Sequence, residues 1–365
     1  MISRSSHVVV VGGGIVGCAI AFVLARAGVR VTLIEPDPFG AHASGKNPGN
    51  LNPILNTSAS LMPLALDSFR RHIALAGELA ALGCKGYALA PVERILLAFE
   101  EPQCKQLQDT SQLWEGREGF SGRLLDPKAV RKLVPGVSED MRAGLLISGN
   151  MSVDSRELVC ALGQGAARLG AEIVHGRVDK LETASGRVTG VRVAGGGIAC
   201  DAIVLATGPW VAETRTWLGM SLPVELVKGQ MLKMRLPGAG PRYDLSHGEI
   251  SLYRRGDDEI WVGVTKEQAG LDETPTEQGR AYLMAGAIRI LPDMARAILL
   301  EHCASVRPQG PSGLPIVGEA PGLDNVYVAN GGGIKGVLLS MGIAQAIHDL
   351  LLAGRSALPL NLPAV

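Results

Sequence analysis

The 365-residue chain is too long for one ordinary domain and comfortable for two, with 47% hydrophobic and 19% charged residues. Lys+Arg and Asp+Glu both number 35, so the zero net charge lacks the basic excess that a nucleic-acid partner demands. Forty-seven glycines against 4% aromatic residues indicate an α/β protein with many tight turns.

The six cysteines, Cys18, Cys84, Cys104, Cys160, Cys200 and Cys303, show no C-x-x-C pair or metal-ligand spacing. Free thiols in a reducing compartment fit them better than a disulfide framework. The apolar run at residues 8–11 is too short for a signal-peptide core, and no uninterrupted apolar run reaches transmembrane length. The expectation is a cytoplasmic protein without a transmembrane segment.

In chain order, residues 8–11 (VVVV) form a β-branched strand that runs directly into glycines. Residues 15–27 carry apolar side chains at helical spacing, with Gly28 as the stop. Residues 29–34 (VRVTLI) form a second buried strand ending at Glu35. A polar loop follows at 41–53, and a loop of that length leaving a strand is more often functional than decorative. The pattern predicts a helix near 60–82, then a weakly patterned stretch to about Gly149. Asp154 reads as an N-cap with Glu157 three positions on, opening a helix to Leu169. Strands follow near 173–178, 188–193 and 198–205. From Pro223 the pattern changes to alternation, which predicts antiparallel strands and a hairpin around Gly256 and Asp257. A buried strand at 326–329, the run Gly331-Gly332-Gly333 and an apolar helix near 338–352 close the chain.

The implied architecture is a nucleotide-binding α/β domain in several segments, interleaved with a second domain on a mostly antiparallel sheet. The first takes residues 1–80, 145–222 and 301–365, and the second takes 81–144 and 223–300. The turn Gly12-Gly13-Gly14-Ile15-Val16-Gly17 has the G-x-G-x-x-G spacing between a strand and a helix. Its first glycine permits the tight turn, its second admits a pyrophosphate, and its third lets helix and strand pack closely. Glu35, at the end of the second strand, can accept from ribose hydroxyls and would repel a 2′-phosphate. These features indicate a dinucleotide without separating NAD from FAD.

Four further segments, in order along nearly the whole chain, resemble the D-amino-acid oxidase-like superfamily of flavoproteins. This superfamily includes glycine oxidases, sarcosine oxidases and D-amino-acid dehydrogenases. The segments are Ala43-Ser44-Gly45-Lys46-Asn47; Ala206-Thr207-Gly208-Pro209-Trp210; Pro223-Val224 with Lys228-Gly229-Gln230-Met231; and Arg307-Pro308 with Gly313 to Gly318, followed by Ala329 to Gly336. The resemblance implies a Rossmann-like, discontinuous FAD-binding domain. FAD would be held noncovalently by Gly12, Gly14, Ile15, Val16, Gly17, Glu35, Ser44, Gly45, Lys46, Thr207, Gly208 and backbone near Val178. Gly332, Gly333, Gly336, Val337 and Leu338 would close over the flavin. Two positions depart from the family: Gly332 stands where a His is common, and Cys303 where an aromatic is common. Sarcosine oxidases link their flavin to a Cys nearby, but Cys303 lies one residue out of that pattern, and a small buried Cys is the alternative.

The reaction implied is oxidation of a small carboxylated amine such as glycine, sarcosine, an iminodiacetate-like compound or a D-amino acid. A hydride leaves the carbon beside the nitrogen, and the imine hydrolyses to an oxo acid. The protein chiefly positions and desolvates the substrate. Arg307 matches the family's carboxylate-binding arginine, and Lys335 in the glycine loop would be a second cation facing the substrate. If both point inward, a doubly anionic amine becomes the expected substrate. Asn47 and Tyr253 are further substrate-binding candidates. The electron acceptor would be oxygen, a quinone or another carrier, the last two allowing peripheral attachment to the inner membrane. A homo-oligomer stays open. The competing readings are an NAD-dependent opine-type dehydrogenase, which has no use for Ala206 to Trp210, and a noncatalytic flavoprotein subunit, which has no use for Arg307.

Overall fold

The computed structural model describes residues 2–358. Two compact units are present, the first drawing on the segments up to Leu89, Val153–Val227 and the segment from Val306 on. The second unit is Ala90–Ser152 with Lys228–Ser305.

The chain opens with β1 (His7–Val11), α1 (Ile15–Arg26), β2 (Arg30–Glu35), β3 (Asn50–Leu51) and α2 (Met62–Ala81). The weakly patterned stretch then folds as β4 (Leu89–Ala98), α3 (Glu101–Ser111), β5 (Ser121–Leu125), α4 (Pro127–Leu133) and β6 (Ala143–Val153). It is followed by α5 (Ser155–Arg168), β7 (Glu172–His175), β8 (Val178–Ala184), β9 (Arg187–Val193), β10 (Gly196–Ala199), β11 (Ala202–Leu205) and α6 (Val211–Leu218). The next segment holds β12 (Glu225–Arg235), β13 (Asp244–His247), β14 (Ile250–Arg254), β15 (Glu259–Gly263), α7 (Glu277–Ile290) and β16 (Ile298–Gln309). The last elements are β17 (Ile316–Glu319), β18 (Val326–Asn330) and α8 (Gly336–Ala353).

In the first unit a six-stranded sheet has the order β17-β18-β11-β1-β2-β7. Its ladders are parallel except for the β17/β18 pair. Helix α1 packs against α5 and α8, and α2 packs against α8. The three-stranded sheet β10-β9-β8 is antiparallel. What the sequence presents as one strand at 198–205 is two strands, β10 and β11, which belong to different sheets. Asp201 makes the break: its carboxylate accepts from the His7 amide at 2.7 Å, and its carbonyl accepts from Asn325 Nδ2 at 2.6 Å. The chain is thereby turned out of the β9 ladder and into the ladder beside β1.

In the second unit the large sheet runs β16-β12-β15-β14-β13-β4-β6, with β5 on β6. The β12/β15, β14/β15, β13/β14 and β5/β6 ladders are antiparallel, and β13/β4 is parallel. Alternation sorts its two faces. Leu232, Met234, Leu245, Leu252, Ile260 and Val262 join a core with α7, while Met231, Tyr253, Trp261 and Cys303 gather separately. The changeovers between units at 153, 228 and 306 fall within or near the ends of β6, β12 and β16. The sequence places them at 145, 223 and 301, because alternation along a strand gives no sign of where its surroundings change.

Helix Gly333–Ala353 is long and apolar enough to cross a membrane by length and composition. Its Leu338, Leu339, Met341, Ile343 and Ile347 are buried in the first unit, where α8 contacts α1 and α2. The close approach of α2 to α8 depends on Gly342, where a Cβ would stand 2.2 Å from Ser68 Oγ and 2.7 Å from Leu64 Cδ1. Gly342→Ala is expected to lose about 1–3 kcal/mol by overpacking, read as a lower urea midpoint at unchanged m-value.

Candidate functional site

The sequence-derived cofactor residues of the first unit converge at the carboxyl ends of its parallel strands, where ligands of open α/β sheets bind. The glycine turn follows β1, Glu35 ends β2, Ala206 to Gly208 follow β11, and Gly331 to Gly333 follow β18. Gly12 has φ +102°, and a Cβ there would lie 2.4 Å from the Ala206 carbonyl oxygen. A Cβ on Gly17 would lie 1.8 Å from the Gly12 carbonyl oxygen, so both positions require the absence of a side chain. Helix α1 has no acidic residue in its first turn and no cap from the Gly14 position itself. Ser44, from the polar loop, supplies the missing acceptor, its Oγ taking the Ile15 N–H at 2.9 Å. The result is a backbone cradle at a helix N-terminus, with amides and dipole favouring an anion.

Glu35 turns its carboxylate into this cradle. Oε2 accepts from the Gly13 N–H at 2.5 Å and Oε1 from the Asp37 N–H at 3.0 Å. Burial pushes its pKa up, while the two backbone donors oppose the shift. Glu35 pairs in register with His175 of β7, which brings the chain around Gly176 to Val178 toward the same corner. Phe39, which the sequence reading missed, packs here: a Cβ on Gly13 would meet its ring at 2.8 Å, and one on Gly163 at 2.3 Å.

Asn47 braces its own loop. Its Nδ2 donates to the Ala43 and Ser44 carbonyls, both at 2.9 Å, and its Oδ1 accepts from Gly49 N–H at 2.8 Å. Both amide hydrogens are thus committed to the segment that contains Ser44, Gly45 and Lys46. Thr207 is buried with its hydroxyl 2.9 Å from that of Thr214. Asn330, also missed, ties the β11 and β18 ends together: Nδ2 donates to the Gly208 carbonyl at 2.8 Å, and Oδ1 accepts from Gly331 N–H at 2.7 Å.

Arg307 is half-buried on β16, and its Nε donates to the Val227 carbonyl at 3.4 Å. Two residues on, Gln309 bridges to Gly332, and Gly310 N–H donates to the Gly331 carbonyl at 3.1 Å. The strand bearing Arg307 therefore runs alongside the terminal glycine loop. Lys335, in that loop, is half-buried and donates through Nζ to the Asn52 and Leu55 carbonyls at 2.8 and 2.9 Å. It clasps the glycine loop to the segment after β3.

Tyr253 belongs to the second unit, where the structure buries it against Met231, Trp261 and Cys303. The Arg94 guanidinium stands 4.9 Å from its ring centroid and that of Arg255 stands 5.6 Å away. Cys303 is 7% exposed, and its Sγ donates to the Met231 carbonyl at 3.7 Å. Among the described residues all six cysteines are free and no His/Cys/Asp/Glu group could hold a metal.

His72 is the third residue the sequence reading missed. It is fully buried on α2, with Nε2 3.0 Å from the Val337 carbonyl oxygen and 3.1 Å from that of Leu338. A His within the apolar stripe of Leu64, Leu75 and Leu79 was the available signal.

The sequence model of the FAD dependent oxidoreductase family matches residues 7–350. A glycine oxidase of Pseudomonas putida is 30% identical over 361 residues, covering 95% of this chain and 94% of the relative. A bifunctional ThiO/ThiG protein of Synechocystis is 32% identical, covering 95% of this chain but only 52% of that longer protein. The crystal structure of glycine oxidase from Geobacillus kaustophilus superposes with a TM-score of 0.91 at 28% identity, covering 100% of both chains.

Burial lowers the His72 pKa from 6.5 to about 4, against the raising effect of the two carbonyls. The unfolded chain therefore takes up a proton near pH 6.5 that the folded chain refuses until about pH 4. Stability is complete above that window and falls across it by roughly 3 kcal/mol as the pH drops. Urea unfolding of wild type and His72→Gln across the window checks this, the variant showing a shallower acid slope.

Proposed function

Because the chain belongs to the FAD-dependent oxidoreductase family, we propose that it oxidises glycine or a closely related small amine bearing one carboxylate. The product is an imine that hydrolyses to the oxo acid. The observation that carries this reading is Arg307, half-buried on the strand that runs beside the terminal glycine loop. The glycine oxidase relatives support the substrate. Family membership also removes the NAD-dependent alternative.

FAD, when bound, supplies the two-electron acceptor. Gly12, Gly14, Gly17 and Ser44 would hold its pyrophosphate, Glu35 its ribose, and the segment Gly332 to Leu338 would border its ring. The geometry favours noncovalent attachment, since Cys303 is buried in an apolar cluster with its thiol turned to a backbone carbonyl.

The residues of the chain then bind, orient and dry the substrate. A guanidinium carries five donors in a rigid fork, and Arg307 turns one of them to Val227, which fixes the plane in which the fork can meet a carboxylate. Lys335 is tethered to two carbonyls, so a second substrate carboxylate would have to draw its amine away from both. That favours a monocarboxylate over an iminodiacetate-like substrate. The oxidase relatives support oxygen as the acceptor.

An amine panel assayed for both hydrogen peroxide and dye reduction tests the proposal, with glycine or sarcosine expected to lead and peroxide to form in air. Arg307→Leu is expected to raise KM about 100-fold at unchanged FAD content, the size of a lost charge-assisted pair. An unchanged KM removes Arg307 from the substrate site. Lys335→Met is expected to leave the substrate ranking intact and to weaken FAD retention instead. A switch in ranking away from dicarboxylates would restore the two-cation reading.

A further inference from the structure

Ser68 and His72 lie four residues apart on α2, on the face that meets α8, and both are fully buried. Ser68 Oγ donates to the Leu339 carbonyl at 3.4 Å and accepts from Gly342 N–H at 3.2 Å. His72 reaches one turn closer to the start of α8, to the carbonyls of Val337 and Leu338. Two acceptors around Nε2 require that nitrogen to carry the hydrogen, which leaves Nδ1 as a bare acceptor. Nδ1 is buried, and it has no hydrogen-bond partner among the described residues. An apolar side chain of similar size would fill the space without stranding a polar atom. The imidazole is therefore explained by the single donor it supplies.

That donor acts on the part of α8 that the proposed function places at the flavin. The Val337 carbonyl and the Leu338 N–H share one planar peptide and point in opposite directions. Fixing the carbonyl fixes the amide. Leu338 N–H belongs to the first turn of the helix, whose amides have no partner four residues back. They are directed instead toward whatever stands before the helix. Burial keeps the imidazole neutral, so the donor persists across the physiological range.

We propose that His72 is a positioning residue for the cofactor. Through the Val337 and Leu338 carbonyls it aims the first amides of α8 at bound FAD, and so sets how tightly FAD is held and how easily it is reduced. This rests on the reading that Gly332 to Leu338 borders the flavin.

His72→Met removes the donor, and His72→Gln keeps an amide that can reach the same carbonyls. Each apoprotein is titrated with FAD, the midpoint potential of the bound flavin is measured, and the thermal midpoint of the apoprotein is recorded. His72→Met is expected to lose about tenfold in FAD affinity, the worth of one hydrogen bond, with a shifted potential. His72→Gln is expected to recover most of both. Wild-type affinity and potential in His72→Met, with only the apoprotein midpoint lowered, overturns the proposal and leaves His72 a packing residue. Should His72→Met not fold, His72→Asn, too short to reach both carbonyls, is compared with His72→Gln in its place. Gly332→Ala separates the two levels, because a Cβ there would stand 2.8 Å from the Gly336 backbone and must displace the loop. If Gly332→Ala changes affinity and potential while His72→Met does not, the His72 proposal alone fails. If neither changes them, the loop does not border the flavin and the underlying reading fails with it.

Discussion

The contact on which the first unit depends is the near-touch between the Gly12 backbone and the Ala206 carbonyl, a separation that no Cβ would tolerate. It is possible because β1 pairs in parallel with both β2 and β11, so that the chain leaving β11 passes directly over the turn leaving β1. Gly12 N–H donates to the Ile34 carbonyl at 2.9 Å, and Ala206 N–H donates to the Val11 carbonyl at 2.8 Å, which locks both exits. Gly17 then brings α1 down onto the same turn. The anion cradle follows from this: the exits of β1 and β11 and the N-terminus of α1 meet through backbone, with the Glu35 carboxylate turned in from the end of β2.

The loops around that cradle are held by side chains that reach backbone groups as well as by apolar packing at Phe39 and Ile54. Ser44 takes an amide of α1, Asn47 spans its own loop, Asn330 joins the β11 and β18 exits, and Lys335 holds the segment after β3. Each such bond contributes only about 1 kcal/mol net, but each also removes a conformational choice from a loop that must present backbone groups to a ligand.

This division explains what was legible in the sequence. The strand, glycine turn, helix and Glu35 could be read because each leaves a local mark: a β-branched run, a fixed glycine spacing, a helical period. Helices α2, α5 and α8 showed themselves by period and cap, with Asp154 accepting from Glu157 N–H as its spacing implied. The stretch from Leu89 to Val153 did not, because β4 changes from exposed to buried part-way along and α3 is polar with a single buried residue, Leu107. The commitments of Asn47 and Lys335 were not legible either. An amide or an amine in a polar loop has the same sequence signature whether it meets a ligand or a carbonyl of its own chain, and only the folded loop decides. His72 was hidden for the opposite reason, since one imidazole in an apolar helix stripe looks like ordinary core.

The second unit solves a different problem, and its sheet shows how. One face is continuous core under α7, so the strands cannot shift without breaking it. The opposite face carries a stack of alternating rings and cations. Arg94 lies over Tyr253, Arg255 lies within 5.6 Å of Tyr253 and 5.1 Å of Trp261, and Lys233 stands 4.6 Å from Trp261. Asp244 accepts from Arg94 at 3.0 Å and is itself fully buried, which anchors the first guanidinium of the stack. Partly desolvated cation–π contacts contribute on the order of 1 kcal/mol each, but their larger effect here is geometric. A tyrosine held between two guanidiniums has little freedom except in its hydroxyl hydrogen. Arg307 in the first unit is held differently, through a hydrogen bond from its Nε to a strand carbonyl. In both units these side chains stand on strands, where cross-strand pairing holds the backbone.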